Sequence, residues 1–248
     1  MNIPVGIRVL GLAALLTTST VAQAAAESGH IEPAGVNIKD VAALQRGAKL
    51  FVNYCLSCHG AEYMRYNRLS EDLGLDEELV MDKLVFADAK IGETMSIAMQ
   101  AADAERWFGQ APPDLSLAGR SRGADWLYAY LRGFYQDESG GWNNTVLPNA
   151  AMPHVLWPLQ GIQTATYRAV SSGGVEQQVL DHLELTTPGI LSPEEYDAAV
   201  RDLVTFLDYM GEPAKLKRKN IGIWVMLFLV VFAFLAYLLK AEYWRDVH

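Results

Sequence analysis

Cys55-Leu56-Ser57-Cys58-His59 places two thiols three positions apart, with an imidazole directly after the second. This is the attachment signature of a c-type haem. Two cysteines so spaced reach the vinyl groups along one porphyrin edge, and the adjacent His59 lies under the iron as one axial ligand. Two other chemistries share part of the pattern. A thioredoxin-like redox pair belongs in a βαβ setting, whereas here the motif closes a helical stretch with no strand before it. Half a zinc site needs two more ligands, and His30, His154 and His182 come without a second Cys-x-x-Cys. The chain has only these 2 cysteines. That excludes a disulfide scaffold and any four-cysteine zinc or iron–sulfur site, and leaves no third thiol to misbridge.

The iron then has a sixth ligand or an open position. Met64 stands too near His59 in sequence to reach the opposite haem face. Met81, Met95, Met99 and Met210 sit at helical spacing and read as core. Met152 lies in Leu147-Pro148-Asn149-Ala150-Ala151-Met152-Pro153-His154, a loop stiffened by prolines that can present a thioether to iron. His154, in the same loop, is its main rival.

Covalent haem attachment takes place outside the cytoplasm, so the ends of the chain matter. Arg8, the apolar run Val9–Leu16 and the small residues Val21–Ala26 make a secretory signal peptide over residues 1–24, cleaved after Ala24 or Ala26. Ile221–Leu239 is nineteen residues without a charge. At ~1.5 Å per residue it spans about 28 Å, the thickness of a membrane core. Trp224, Tyr237, Tyr243 and Trp244 lie towards its ends, as aromatic belts do. Residues 215–248 are therefore expected to be a basic collar, one transmembrane anchor and a short cytoplasmic tail. Local counting of Lys215, Lys217, Arg218 and Lys219 favours the opposite orientation. A long domain, however, translocates largely regardless of nearby charge. The haem domain is thus expected outside the cytoplasm, with the lipid bilayer as a partner of the tail.

Between the ends, residues 25–214 form one domain large enough to bury a core. Its 13 basic and 27 acidic residues leave it near −14, against −9 for the whole chain. An acidic surface argues against nucleic acid as a partner. It can steer a basic protein, and Glu71, Asp72, Asp76, Glu77, Glu78 and Asp82 make the densest acidic run. The clearest helix follows the capping box Ser192-Pro193-Glu194-Glu195 and stops at Gly211. A second helix runs from Asp40 to Tyr54, with Gly47 in its middle, where a bare backbone permits close crossing by another helix. Weaker helices are expected near 76–85, 93–104 and 124–135, with loops over 109–123 and 136–162. Strand signals are sparse, Thr166–Val170 being the best. The expected fold is mainly α, a cytochrome c-like domain with long loop insertions and one C-terminal span.

Four stretches resemble the cytochrome c1 family of the cytochrome bc1 complex, in its bacterial form. They are Gly47–Leu69 around the haem motif, Ala111–Gly123 (APPDLSLAGRSRG), Asn149–Trp157 (NAAMPHVLW), and the tail of capped helix, basic cluster and single span. The resemblance implies one haem c, thioether-linked through Cys55 and Cys58, with His59 and Met152 as axial ligands. It implies that Pro112 and Pro113 pack on the haem, that Arg122 (or its rival Arg120) meets a propionate, and that Trp126 lies near the propionates. It also implies cytochrome b and the Rieske iron–sulfur protein as partners, a soluble cytochrome c as acceptor, and a dimeric complex. Such a chain relays single electrons and is not catalytic on its own. A membrane-tethered cytochrome c feeding a terminal oxidase shares the motif and the anchor, but the PPDLS run disfavours it. This sequence departs from many relatives in having Trp107-Phe108 for an Asn pair and His154 after Pro153.

Overall fold

The structure, a computed structural model, describes residues 31–86, 88–172 and 175–246. The expected signal peptide lies outside the described residues. The helices are α1 (Val41–Leu50), α2 (Tyr66–Leu73), α3 (Glu77–Leu84), α4 (Ala101–Phe108), α5 (Ala118–Ser121), α6 (Ala124–Arg132), α7 (Trp157–Gln160), α8 (Pro193–Gly211) and α9 (Lys215–Tyr243). The strands are β1 (Ala61–Arg65), β2 (Thr94–Met95), β3 (Phe134–Gln136), β4 (Trp142–Asn144), β5 (Gly161–Ser172) and β6 (Val175–Pro188).

Helix α8 is the spine. Its capping box is fully formed: Glu195 N–H donates to Ser192 Oγ at 3.2 Å, and Ser192 N–H donates to Glu195 Oε2 at 2.9 Å. Its apolar stripe buries Tyr196, Val200, Leu203, Phe206, Leu207 and Met210. Helix α1 crosses α8 at Gly47. A Cβ there would meet the backbone carbonyl of Asp202 and come within 2.7 Å of Phe206 Cβ. The crossing is latched by Arg46, whose guanidinium donates to both Asp202 oxygens at 2.6 and 3.0 Å. Gly119 of α5 meets the Leu207 carbonyl of α8 in the same way. Side-chain bulk is thus excluded at both crossings, and the haem motif at the end of α1 is tied closely to the core.

The expectation of a mainly α domain holds only in part. A four-stranded sheet runs in the order β4-β3-β5-β6, and a second pair joins β1 to β2. Its largest piece is the antiparallel β5–β6 hairpin, of which Thr166–Val170 is only the middle. Much of the hairpin is exposed on both faces, so its sequence lacks the clean alternation of a half-buried strand. Gly173-Gly174 between two β-branched runs was the available signal. Of the weak helices, 76–85 and 124–135 match α3 and α6. The stretch 93–104 instead holds β2 and the start of α4, and the expected loops contain α5, β4 and α7.

Helix α9 continues past the core, and Asn220–Tyr243 is long and apolar enough to cross a membrane, with none of it buried against the rest of the chain. The basic collar is partly neutralised. Lys215 pairs with Asp208 near the end of α8 at 3.0 Å, and Arg218 with Glu212, just after it, at 2.5 Å.

Candidate functional site

The haem motif leaves α1 through a π-helical turn over Phe51–Cys55, in which Leu56 N–H reaches back five residues to the Phe51 carbonyl at 3.0 Å. One wide turn of this kind re-aims the side chains beyond it, and such turns recur at functional sites. His59 N–H and Cys58 N–H then both bond the Cys55 carbonyl, at 2.8 and 3.0 Å, folding the motif onto itself. Cys55 is buried, Cys58 half-buried, and the two are not disulfide-bonded. Burial, with a smaller contribution from Cys58, pushes the Cys55 thiol up to about 12.

Cys55, Cys58 and His59 line an apolar cleft of about 570 Å³, partly open to solvent, together with Tyr54, Phe108, Gln110, Pro112, Pro113, Ala151, Met152, Pro153 and Val155. Apart from the motif, only Tyr54 and Gln110 bring polar side-chain atoms. The donor set fits a haem c: two neighbouring thiols, one imidazole and one thioether, in an apolar lining. His59 Nδ1 bonds the Pro113 carbonyl at 2.7 Å, leaving Nε2 for iron. Burial lowers the His59 pKa, opposed by that same bond, and so favours the neutral imidazole a metal needs.

Pro112 and Pro113 reach the cleft because Asp114 staples their loop to β1. Asp114 Oδ2 accepts from Glu62 N–H and Oδ1 from Ser116 N–H, both at 2.8 Å. Ser116 Oγ in turn accepts from Tyr63 N–H at 3.0 Å, and Leu115 N–H donates to the Gly60 carbonyl at 2.8 Å. The Met152 loop hangs from a buried Asn144. Its Oδ1 accepts from Val146 and Leu147 N–H at 2.8 and 3.1 Å, and its Nδ2 donates to the Tyr130 carbonyl at 2.8 Å. Asn149 turns the loop in the left-handed region at φ 60°, which Asn tolerates better than most residues.

The rival iron ligand behaves differently. His154 is buried, outside the cleft lining, and burial holds its imidazole down at about 4. Met64, Met95 and Met210 are core residues. Arg122 and Trp126 are likewise absent from the lining. The Arg122 guanidinium lies 4.9 Å over the Trp126 ring, and neither Arg120 nor Arg122 forms an ion pair among the described residues. Sequence reasoning missed Phe108, Asp114 and Asn144. Phe108 was noted only as a departure; the long-range bonds of the two staples act across 52 and 14 residues, and the local turns that Asp114 and Asn144 also make do not reveal them.

Residues 35–247 match the Cytochrome C1 family. The cytochrome c1 of Allochromatium vinosum is 48% identical over 236 residues, covering 94% of this chain and 96% of its own. The chain belongs to the cytochrome c1 family. A Nitrosomonas europaea protein named ammonia monooxygenase gamma subunit is 46% identical over 239 residues, covering 96% of this chain and 97% of its own. The cytochrome c1 of Rhodospirillum rubrum is 27% identical over 235 residues, 82% of this chain and 81% of its own. Cytochrome c1 proteins are membrane-anchored, bind one covalently attached c-type haem, and transfer electrons in a bc1-type complex with cytochrome b and a Rieske protein. As a cytochrome c1 family member the chain is an electron-transport protein with one such haem, and its apolar C-terminal helix fits the anchor.

Proposed function

We propose that this chain relays single electrons from the Rieske iron–sulfur protein to a soluble cytochrome c within the quinol-oxidising bc1 complex. The observation that carries the reading is the cleft shared by Cys55, Cys58, His59 and Met152. The haem supplies the one-electron couple. Cys55 and Cys58 would hold it through thioethers, and His59 Nε2 and Met152 Sδ would be its iron ligands. A thioether ligand and an apolar lining both favour a high potential. Pro112, Pro113 and Phe108 limit water at the site. Arg122 is the proposed propionate partner, and Trp126 supports its guanidinium.

The placement follows from the ends of the chain. The leader over residues 1–24 exports residues 25–214 to the periplasm, α9 spans the inner membrane once, and the C-terminus stays in the cytoplasm. The complex is dimeric, as the family resemblance implies. Glu71, Asp76, Glu77, Glu78 and Asp82 are exposed, and an acidic face of this kind attracts a basic carrier.

Three measurements on the purified complex test the reading. A pyridine haemochrome spectrum should report one haem per chain, attached through two thioethers; non-covalent haem would overturn the attachment. Met152→Leu should lower the potential and slow reduction of soluble cytochrome c. A variant with an unchanged six-coordinate, high-potential haem removes Met152 from the assignment. Arg122→Gln should lower the potential more than Arg120→Gln does.

A further inference from the structure

We infer that His154 is the positioning residue for Met152: an aromatic clamp on its ring fixes the segment that carries the thioether. The inference rests on Met152 being the axial ligand.

His154 is 2% exposed. Its ring stacks on Phe134 with centroids 4.9 Å apart and planes 8° apart. Trp142 closes the other contact edge-on, at 5.2 Å and 78°. The two jaws belong to paired strands, since β3 and β4 run antiparallel with Phe134 opposite Asn144 and Gln136 opposite Trp142. Behind Phe134 the contacts continue to Tyr130 at 5.0 Å, and from Tyr130 to Trp126 at 5.0 Å. The clamp is therefore anchored in both the sheet and α6.

Only Pro153 separates His154 from Met152. Two consecutive peptide steps span at most about 7 Å, and proline fixes one of the intervening torsions. A ring held at His154 thus restricts where the Met152 thioether can go. The loop has few other anchors after Asn149. Met152 itself is only partly buried, and His154 is the next residue whose side chain is fully enclosed.

The clamp has a second effect. An imidazole two residues from an iron-binding thioether competes for the metal. Held between Phe134 and Trp142, it does not reach the cleft. Its Nε2 is buried without a hydrogen bond, as is Gln160 Oε1, and Gln160 opposes the effect of burial on the ring's pKa. A buried unpaired nitrogen costs stability, and the ring contacts with Phe134 and Trp142 offset that cost.

The experiment uses the haem-loaded, full-length chain in its complex. Each variant is first shown to carry covalent haem by its haemochrome spectrum. The readouts are the sulfur-to-iron charge-transfer band of the ferric haem, CO binding by the ferrous haem, and the midpoint potential. His154→Ala should lose the band, gain CO binding and shift the potential down, while His154→Phe, which keeps a stacking ring, should resemble the parent. Should His154→Ala fail to accumulate, Trp142→Ala removes one jaw and should weaken the band in the same direction. An unchanged band in His154→Ala, or equal loss in His154→Phe, overturns the clamp. Met152→Leu separates the two readings. If it keeps the band, Met152 is not the ligand and both readings fall; if it loses the band while His154→Ala keeps it, only the clamp falls.

Discussion

His59 Nδ1 and the Pro113 carbonyl are joined by a 2.7 Å hydrogen bond, so the haem motif and the proline run meet at one fixed point. A ligand imidazole whose second nitrogen is engaged has its tautomer and ring orientation set before metal arrives. The partner is a backbone carbonyl, so no substitution at position 113 deletes it directly. The bond has to be tested through whatever holds the loop.

That holder is Asp114. Its two oxygens accept from Glu62 and Ser116 N–H. Asp114→Ala leaves both donors without their partner, and a lost bond to a charged acceptor is worth about 1.5–3 kcal/mol. Both sites are exposed or half-buried, so water recovers part of this. We expect a loss of about 2 kcal/mol with haem still attached, read by chemical unfolding of the oxidised protein. An unchanged midpoint would show that the staple does not hold the loop.

The haem motif, the capping box and the anchor were legible because each is local chemistry: fixed spacing, a side chain reaching its own helix end, and length without charge. Gly47 was legible because glycine inside a helix has a cost that calls for a reason, and the α8 crossing supplies it. Asp114 and Asn144 were not, since the partners that make them staples, Glu62 and Tyr130, lie far off in sequence. The β5–β6 hairpin escaped because exposure on both faces removes the period-two pattern. His154 looked like a rival ligand by residue type alone. Only the rings of Phe134 and Trp142 show where it is kept.

Gly47→Ala puts two magnitudes against each other. In a free helix the exchange would gain roughly 1 kcal/mol. Here the new methyl meets the Asp202 carbonyl and Phe206 Cβ, and overpacking of a core costs typically about 1–3 kcal/mol, more when backbone must move. Net destabilisation is expected, with a lower melting temperature. A variant more stable than the parent would mean that α1 and α8 can separate at little cost.

The acidic run divides by role. Glu77 and Glu78 are exposed in the first turn of α3, whereas Asp72 pairs with Arg68 at 2.7 Å and is largely covered. Glu77→Gln with Glu78→Gln should slow reduction of soluble cytochrome c at low salt and leave unfolding unchanged. The parent's rate should fall as ionic strength rises, because exposed charges are screened beyond about 8–10 Å in ordinary buffer. A rate indifferent to salt in both proteins would remove steering from this face.

Tyr209 and Asp72 carry the last prediction, which has a sign in pH. The fully buried Tyr209 hydroxyl donates to Asp72 Oδ2 at 2.7 Å, tying α8 to α2. Burial first, and Asp72 second, raise its pKa well above the ordinary phenol. The unfolded chain therefore releases this proton near pH 10, before the folded chain does. The stability it contributes is complete below about pH 10 and declines as pH rises from there towards the folded value. Tyr209→Phe should flatten that alkaline decline and cost about 1–2 kcal/mol at neutral pH. Asp72→Ala should cost more, because it leaves the buried hydroxyl without an acceptor and Arg68 without its carboxylate. Urea unfolding of the three proteins at neutral and alkaline pH decides it. If Asp72→Ala is the milder change, the hydroxyl has found another acceptor and the pair does not join the two helices.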